Sequence, residues 1–324
     1  MSFRDIMGQE TAKQMLQSGL RQQSTSHAYL FSGPSGSGQR QMATALAQAI
    51  YCTRQEDDAC GECLECRKVE HGNHPDLHYI EPEGASLKID QIRELQKIFN
   101  YRSENNNRKI YIIDQADKMT TQAANSLLKF LEEPQVPAVG ILITSNKGAM
   151  LPTILSRTQE VPFKALSPER IEEVFVKEGY SPALVRTAAF LTSGLESCKS
   201  LLDQNWFAEI RNVMLQLGGE SLTRGSMSLV SAQQKLFKTG LSEHLELMFD
   251  MFHLWFKDML YVTYGKQENV IFIDQLSSIS TIARSRSTEQ WVSYMDLAAE
   301  CRKKLRSNMN GQLCVEQFLI GLAA

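Results

Sequence analysis

Long apolar runs are missing from this 324-residue chain; none approaches the ~18 residues that a membrane-spanning helix requires. A surplus of positive charge is missing too. The 34 Lys and Arg residues stand against 37 Asp and Glu, for a net charge of −3 and a pI near 6.1. A dedicated nucleic-acid binder is strongly basic, so only a local basic patch is left open. Proline does not recur after Pro182, which leaves the rest of the chain without the strongest helix breaker. Nothing at the N-terminus has the make-up of a signal peptide, since Met1-Ser2-Phe3-Arg4-Asp5 leads into a polar helical pattern. There is no internal repeat, low-complexity linker or nucleophile triad, and the six histidines form no ligand-spaced set. Of the seven cysteines four are clustered, which suits a reducing compartment and a metal site better than disulfides. A cytoplasmic location is expected.

What is present is alternation of helical and strand patterns. Residues 9–20 place Ala12, Met15, Leu16 and Leu20 on one helical face, and 28–31 is an apolar strand. The next helix carries Ala43, Leu46, Ala47 and Ile50 on one side. A strand follows at Leu77–Ile80, a helix at Ile89–Phe99, and strands at 110–113 and 139–144. Between these two lies a helix over 120–133 stopped by Pro134. Strands alternating with helices predict a parallel sheet covered on both faces. Beyond Phe163 the pattern turns helical: a small unit over 166–202, opened by Ser167 as N-cap and Pro168 at N1, then a helical region from about Trp206.

Three features carry candidate chemistry. Gly33-Pro34-Ser35-Gly36-Ser37-Gly38-Gln39-Arg40 lies between a strand and a helix, with the glycine spacing of a phosphate-binding loop. A working loop ends Gly-Lys-Ser/Thr, the lysine reaching the β/γ-phosphates and the hydroxyl holding Mg²⁺; Gln39 and Arg40 stand there instead. The strand 110–113 ends in Asp114, as a Walker B strand does, and Gln115 follows. An amide can orient a water but cannot take its proton. A buried strand with an aspartate at its end is the plain alternative. Thr144-Ser145-Asn146 closes the next strand, where a polar side chain can sense a γ-phosphate.

The second feature is Cys52, Cys60, Cys63 and Cys66, which supply four thiolates for a tetrahedral Zn²⁺. Four thiolates and one Zn²⁺ carry −2, to be offset by Arg54, Arg67 and Lys68. Such a closed site is structural, and in zinc-finger peptides contributes about 10–16 kcal/mol of apparent binding. Reduced, unligated thiols or an iron–sulfur cluster are the alternatives. The third feature, Ser156-Arg157, has two readings: a surface cation, which the pattern alone favours, or an arginine finger offered to a neighbour's ATP. The aromatic and methionine-rich run 248–256 is expected to be a packed helix. Arg302-Lys303-Lys304 with Arg306 is expected to be a solvated helix face rather than a DNA contact.

Several elements occur together and in order: His27-Ala28-Tyr29-Leu30-Phe31, the glycine loop, the four cysteines, His74-Pro75-Asp76 and Ile112-Ile113-Asp114. Leu127-Leu128-Lys129-Phe130-Leu131-Glu132-Glu133-Pro134 and Ile154-Leu155-Ser156-Arg157 complete the series. This resembles the bacterial clamp-loader branch of the AAA+ ATPases, densely over 1–165 and weakly again at Asn308-Met309-Asn310. The family's motor subunits keep Gly-Lys-Thr and Asp-Glu where this chain has Gln39, Arg40 and Gln115. The arginine of their second sensor is not evident around Gly194-Leu195-Glu196-Ser197. Arg40 does not replace the lysine, because one position along a helix turns the side chain by about 100°. Thr158 stands for the cysteine of the family's Ser-Arg-Cys motif.

The resemblance implies an α/β AAA+ P-loop domain over 1–165 with a zinc-binding insertion at 52–66. A helical lid at 166–205 and an all-α collar at 206–324 would follow. It further implies a non-hydrolysing member of a five-subunit ring with gamma/tau and delta subunits, which opens a sliding clamp and places it on primer-template DNA. Zn²⁺ would be structural, ATP would not be bound productively at Gly33, Gly36, Gly38, Gln39 and Arg40, and Arg157 would act in trans. Two alternatives stay open: an active clamp-loader-type ATPase, and a zinc-dependent nucleic-acid-binding protein with a vestigial loop.

Overall fold

The structure is a computed structural model that describes residues 1–99, 108–132, 136–224 and 226–323. The chain divides into two units, Met1–Leu166 with Ser193–Glu196, and Ser167–Thr192 with Ser197–Ala324. In chain order the first unit contains α1 (Glu10–Arg21), β1 (Ala28–Ser32), α2 (Gln39–Tyr51), α3 (Leu64–Glu70), β2 (Leu77–Ile80), α4 (Ile89–Phe99) and β3 (Lys109–Ile113). It continues with α5 (Thr121–Glu132), β4 (Ala138–Thr144), α6 (Pro152–Leu155) and β5 (Gln159–Pro162). The strands form one parallel sheet in the order β2-β3-β4-β1-β5.

Strand residues point alternately to the two faces, so each apolar run feeds two cores. Phe31, Ile112, Ile141 and Val161 meet Leu16 of α1 and Met42 and Leu46 of α2. Their neighbours Leu30, Ile113 and Leu142 meet Ile92 and Leu95 of α4 and Leu127 and Leu131 of α5. Burial on both faces explains the apolar runs 28–31 of β1 and 110–113 of β3; all five positions of each strand are buried, including the polar end residues Ser32 and Lys109. This is the α/β sheet that the pattern predicts. The expected stop at Glu133 and Pro134 lies outside the described residues. The sequence pattern does not announce β5, α3 or the four-residue α6. In Gln159-Glu160-Val161-Pro162 only Val161 is buried, because β5 is a sheet edge paired to β1 alone. Edge strands tolerate proline and polar side chains and so lose the apolar signal.

The second unit is helical: α7 (Pro168–Lys177), α8 (Pro182–Leu191), α9 (Leu195–Leu202, whose first residues belong to the first unit), α10 (Asn205–Arg224) and α11 (Ser226–Ala232). Then come α12 (Leu245–Thr263), α13 (Leu276–Ile282), α14 (Thr288–Arg306) and α15 (Gly311–Ala323). Ser167 caps α7 by accepting from the Arg170 N–H, with Pro168 at N1 as expected. The run 248–256 falls on α12, where Met248, Phe249, Phe252 and Phe256 are buried and Phe252 and Phe256 pack on Phe318 of α15. The basic run on α14 faces acidic partners: Arg302 pairs with Asp250, Arg306 with Glu246 at 2.9 Å and Lys304 with Glu300 at 2.8 Å. Arg211, 3% exposed, donates to Thr187 on α8 and Asp274 beyond α12 and lies over the Phe272 ring.

Asp258 on α12 is fully buried and accepts the N–H groups of Ile271 (2.9 and 3.0 Å) and Phe272 (2.8 Å). Burial pushes its carboxyl up, the two N–H donors pull it down, and the balance is about 6. Asp258→Ala strands those two N–H groups in the core, and a buried donor without a partner costs about 1–3 kcal/mol. We expect a loss of about 2 kcal/mol in denaturant unfolding; an unchanged midpoint would contradict this.

Candidate functional site

The phosphate-type loop leaves the C-terminal end of β1 and enters α2 through Gly38, whose φ of +96° is a left-handed conformation that glycine adopts without strain. Gln39, 4% exposed, does not extend from the loop. Its Nε2 donates to the carbonyls of Gly33 and Pro34, both at 2.9 Å, and so stitches the loop to itself. Ser37 Oγ donates to the Pro34 carbonyl (2.8 Å), and Gln9 Nε2 to the Ser37 carbonyl (2.9 Å). Arg40 pairs with Glu81 and lies 3.8 Å from Asp114 Oδ2 at the end of β3. A guanidinium therefore faces the aspartate that orders Mg²⁺ in a working site.

Backbone and side-chain groups at the neighbouring strand ends also bond within the chain. The Gln115 N–H donates to Asp114 Oδ1 (2.8 Å). Thr144 Oγ1 donates to Asp117 Oδ1 (2.7 Å) and accepts from the Asn146 N–H (3.0 Å), so its proton is committed within the chain. Gly194 sits so close to the loop that a Cβ there would lie 2.1 Å from the Gly36 carbonyl oxygen. What remains is a cleft of about 160 Å³ lined by Gly36, Gly38, Gln39, Arg40, Asp114, Gln115, Ser145 and Glu196 among others. Small-molecule pockets run to about 300–1,000 Å³. A larger cavity, about 830 Å³, lies beside Cys52 and Arg108, away from this loop.

The four cysteines converge. Cys52 closes α2, Cys63 caps α3 and Cys66 lies within it. Their sulfurs all lie within 4.8 Å of one another, with Cys60 and Cys66 at 3.9 Å. A tetrahedron of thiolates at about 2.3 Å from zinc has edges of about 3.8 Å, so the donor set fits that ion. The N–H groups of Cys60, Cys63 and Cys66 point at the sulfurs of Cys52, Cys60 and Cys63 at 3.4, 3.3 and 3.5 Å. Burial alone raises the Cys63 thiol, but the N–H groups of Thr53 and Cys66 outweigh it and bring it to about 6. Burial pushes the Cys66 thiol up. Two of the three cations expected to offset the cage charge go to carboxylates instead, Arg54 to Glu62 (3.4 Å) and Lys68 to Glu65 (2.9 Å).

Arg157 follows α6 and does not line the cleft. Its guanidinium donates to the Thr153 carbonyl (3.0 Å) and Ser156 Oγ (3.2 Å) and pairs with Glu132 Oε1 at 2.5 Å. The loop, Asp114 and Gln115 therefore line one cleft, and neither the four cysteines nor Arg157 is among its lining residues.

Comparison with known proteins gives this arrangement a context. The DNA polymerase III subunit delta' of Bacillus subtilis is 36% identical over 318 residues, covering 97% of this chain and 96% of that protein. The chain belongs to the DNA polymerase III subunit delta' family. The delta' subunit of Pseudomonas aeruginosa is 30% identical over 308 residues, 92% of each chain. A family model described as "DNA polymerase III, delta subunit" matches residues 8–167. The Bacillus subtilis subunit tau is 36% identical over 214 residues, 62% of this chain and 37% of that protein.

In this delta' family member the sequence reading found the loop, the acidic strand end, the cage and Arg157. It missed the groups that complete them. Glu81 and Asp117 are single carboxylates with no spacing to mark them; Glu132, Gly194 and Glu196 stand in stretches the sequence does single out, but nothing there marks Arg157 or Gly36 as their partners.

Proposed function

We propose that this delta' family member is a non-hydrolysing subunit of a clamp loader, which presents Arg157 to the ATP of a neighbouring gamma/tau subunit. The observation that carries the reading is the stitched loop. Gln39 is tied to the loop's own carbonyls, Arg40 lies beside Asp114, and the cleft is about half the size of the smallest usual ligand pockets. Each of the three groups that ATP chemistry needs is replaced: the phosphate-reaching ammonium, the Mg²⁺-holding hydroxyl and the proton-accepting carboxylate. In this reading Zn²⁺ on Cys52, Cys60, Cys63 and Cys66 is structural. Residues 166–205 act as lid and 206–324 as collar in a five-subunit ring with gamma/tau and delta. The ring acts on the sliding clamp and primer-template DNA.

In calorimetric titration with Mg²⁺ and ATP, the purified chain is expected to bind no more tightly than about 1 mM, the weak end of the affinity scale, and to release no phosphate. Mixed with gamma/tau and delta, it is expected to elute with them as one complex. Micromolar ATP binding with turnover would return the active-ATPase reading, and failure to join the complex would remove the clamp-loader role.

A further inference from the structure

Glu132 lines neither the cleft beside the loop nor the cysteine cluster. It is the last described residue of α5. What it faces is Arg157. Three acceptors hold that guanidinium: Glu132 Oε1 at 2.5 Å, the Thr153 carbonyl at 3.0 Å and Ser156 Oγ at 3.2 Å. Ser156 Oγ in turn donates to the Thr153 carbonyl at 3.1 Å, so the two acceptors from the end of α6 are fixed to each other.

These bonds use Nη1 and Nη2, while an arginine has five N–H donors in a rigid fork. The side chain is still 37% exposed and Glu132 48% exposed. Held from one side and wet on the other, the guanidinium retains donors for an anion that approaches from solvent. An ion pair this exposed adds little to folding. Its effect is to restrict a flexible side chain to one orientation before a phosphate arrives, and such preorganisation favours the transition state over the ground state.

We propose that Glu132 is a positioning residue for Arg157: its carboxylate aims the guanidinium that serves the neighbouring subunit's ATP. The proposal rests on the finger reading of Arg157, and the test separates the two. Complexes are reconstituted with gamma/tau and delta around wild-type chain, Glu132→Gln, Arg157→Ala or the double variant, and ATP hydrolysis is followed at steady state. The finger-dependent rate is wild type minus Arg157→Ala. Glu132→Gln is expected to lower the kcat of that part about tenfold, equivalent to about 1.4 kcal/mol, with KM for ATP unchanged. The double variant is expected to match Arg157→Ala alone. Thermal unfolding of the Glu132→Gln chain should match wild type, which separates aim from folding. If Glu132→Gln leaves kcat unchanged or raises it while Arg157→Ala lowers it, Glu132 is not a positioning residue and only this proposal falls. If Arg157→Ala itself changes nothing, the finger reading fails and takes this proposal with it.

Discussion

Arg157→Ala is expected to leave the complex assembled and to slow the ATP site that borrows the arginine by about 10³-fold or more, as fingers do where their contribution has been measured. A factor of 10³ is about 4 kcal/mol of transition-state stabilisation. Folding should barely register the change. The substitution removes an exposed ion pair with Glu132 and two hydrogen bonds, to a carbonyl and a hydroxyl that water can satisfy instead. The cleft of the chain itself does not include Arg157, so any fall in rate belongs to a different subunit's site. Size-exclusion chromatography reports assembly and phosphate release reports rate. In the summed rate of a ring with several sites, the effect appears as the missing share of one site. An unaltered rate in an intact complex would make Arg157 a surface cation.

Zinc removal is the second large effect. Protein purified without chelator is expected to contain one Zn²⁺ per chain, and stripping it should lower the thermal midpoint of the first unit. Structural zinc contributes about 10–16 kcal/mol of apparent binding in peptides that are unfolded without it. Here part of the framework stands independently of the metal. Gln48 Nε2 donates to the Cys66 carbonyl (2.9 Å), and Asp58 accepts the N–H groups of Phe3 (2.9 Å) and Ala59 (2.7 Å). The destabilisation should therefore be a fraction of the peptide value. It should begin in the cysteine segment and reach the N-terminal turn through Asp58, where hydrogen exchange at Phe3 and Ala59 would rise first. Cys60→Ser should reproduce the effect, whereas Cys198→Ser, buried in the second unit, should leave zinc content unchanged. A metal-free preparation that unfolds at the same temperature with and without chelator would refute the assignment.

How far the sequence could be read depended on whether a feature is local. Strands β1 and β3 were legible because burial on both faces demands the apolar runs 28–31 and 110–113, with polar Ser32 and Lys109 only at one end of each strand. The cysteine cluster was legible because three of its four members lie within one short segment, Cys60 to Cys66. Strand β5 was not, since an edge strand carrying Gln159, Glu160 and Pro162 has only Val161 to place in the core. Helix α3 was hidden for another reason: its seven residues are dominated by charge and by Cys66, and its N-cap is a cysteine instead of a serine or aspartate.

The phosphate loop divides along the same line. By itself the sequence determined that Gln39, Arg40 and Gln115 stand where a working phosphate loop and Walker B strand carry a lysine, a hydroxyl and a carboxylate, because each belongs to a fixed place in a short motif. Only the tertiary structure decided what those replacements do. Gln39 turns back onto Gly33 and Pro34, Arg40 meets Asp114 and Glu81 from other parts of the chain, and Gly194 closes on Gly36 from more than 150 residues away. Arg157 shows it again, its motif local and its partner Glu132 not. The physical reason is range. Residue types and spacings record what a few neighbouring positions must be, whereas hydrogen bonds and ion pairs act over a few ångströms between groups that only the folded chain brings together.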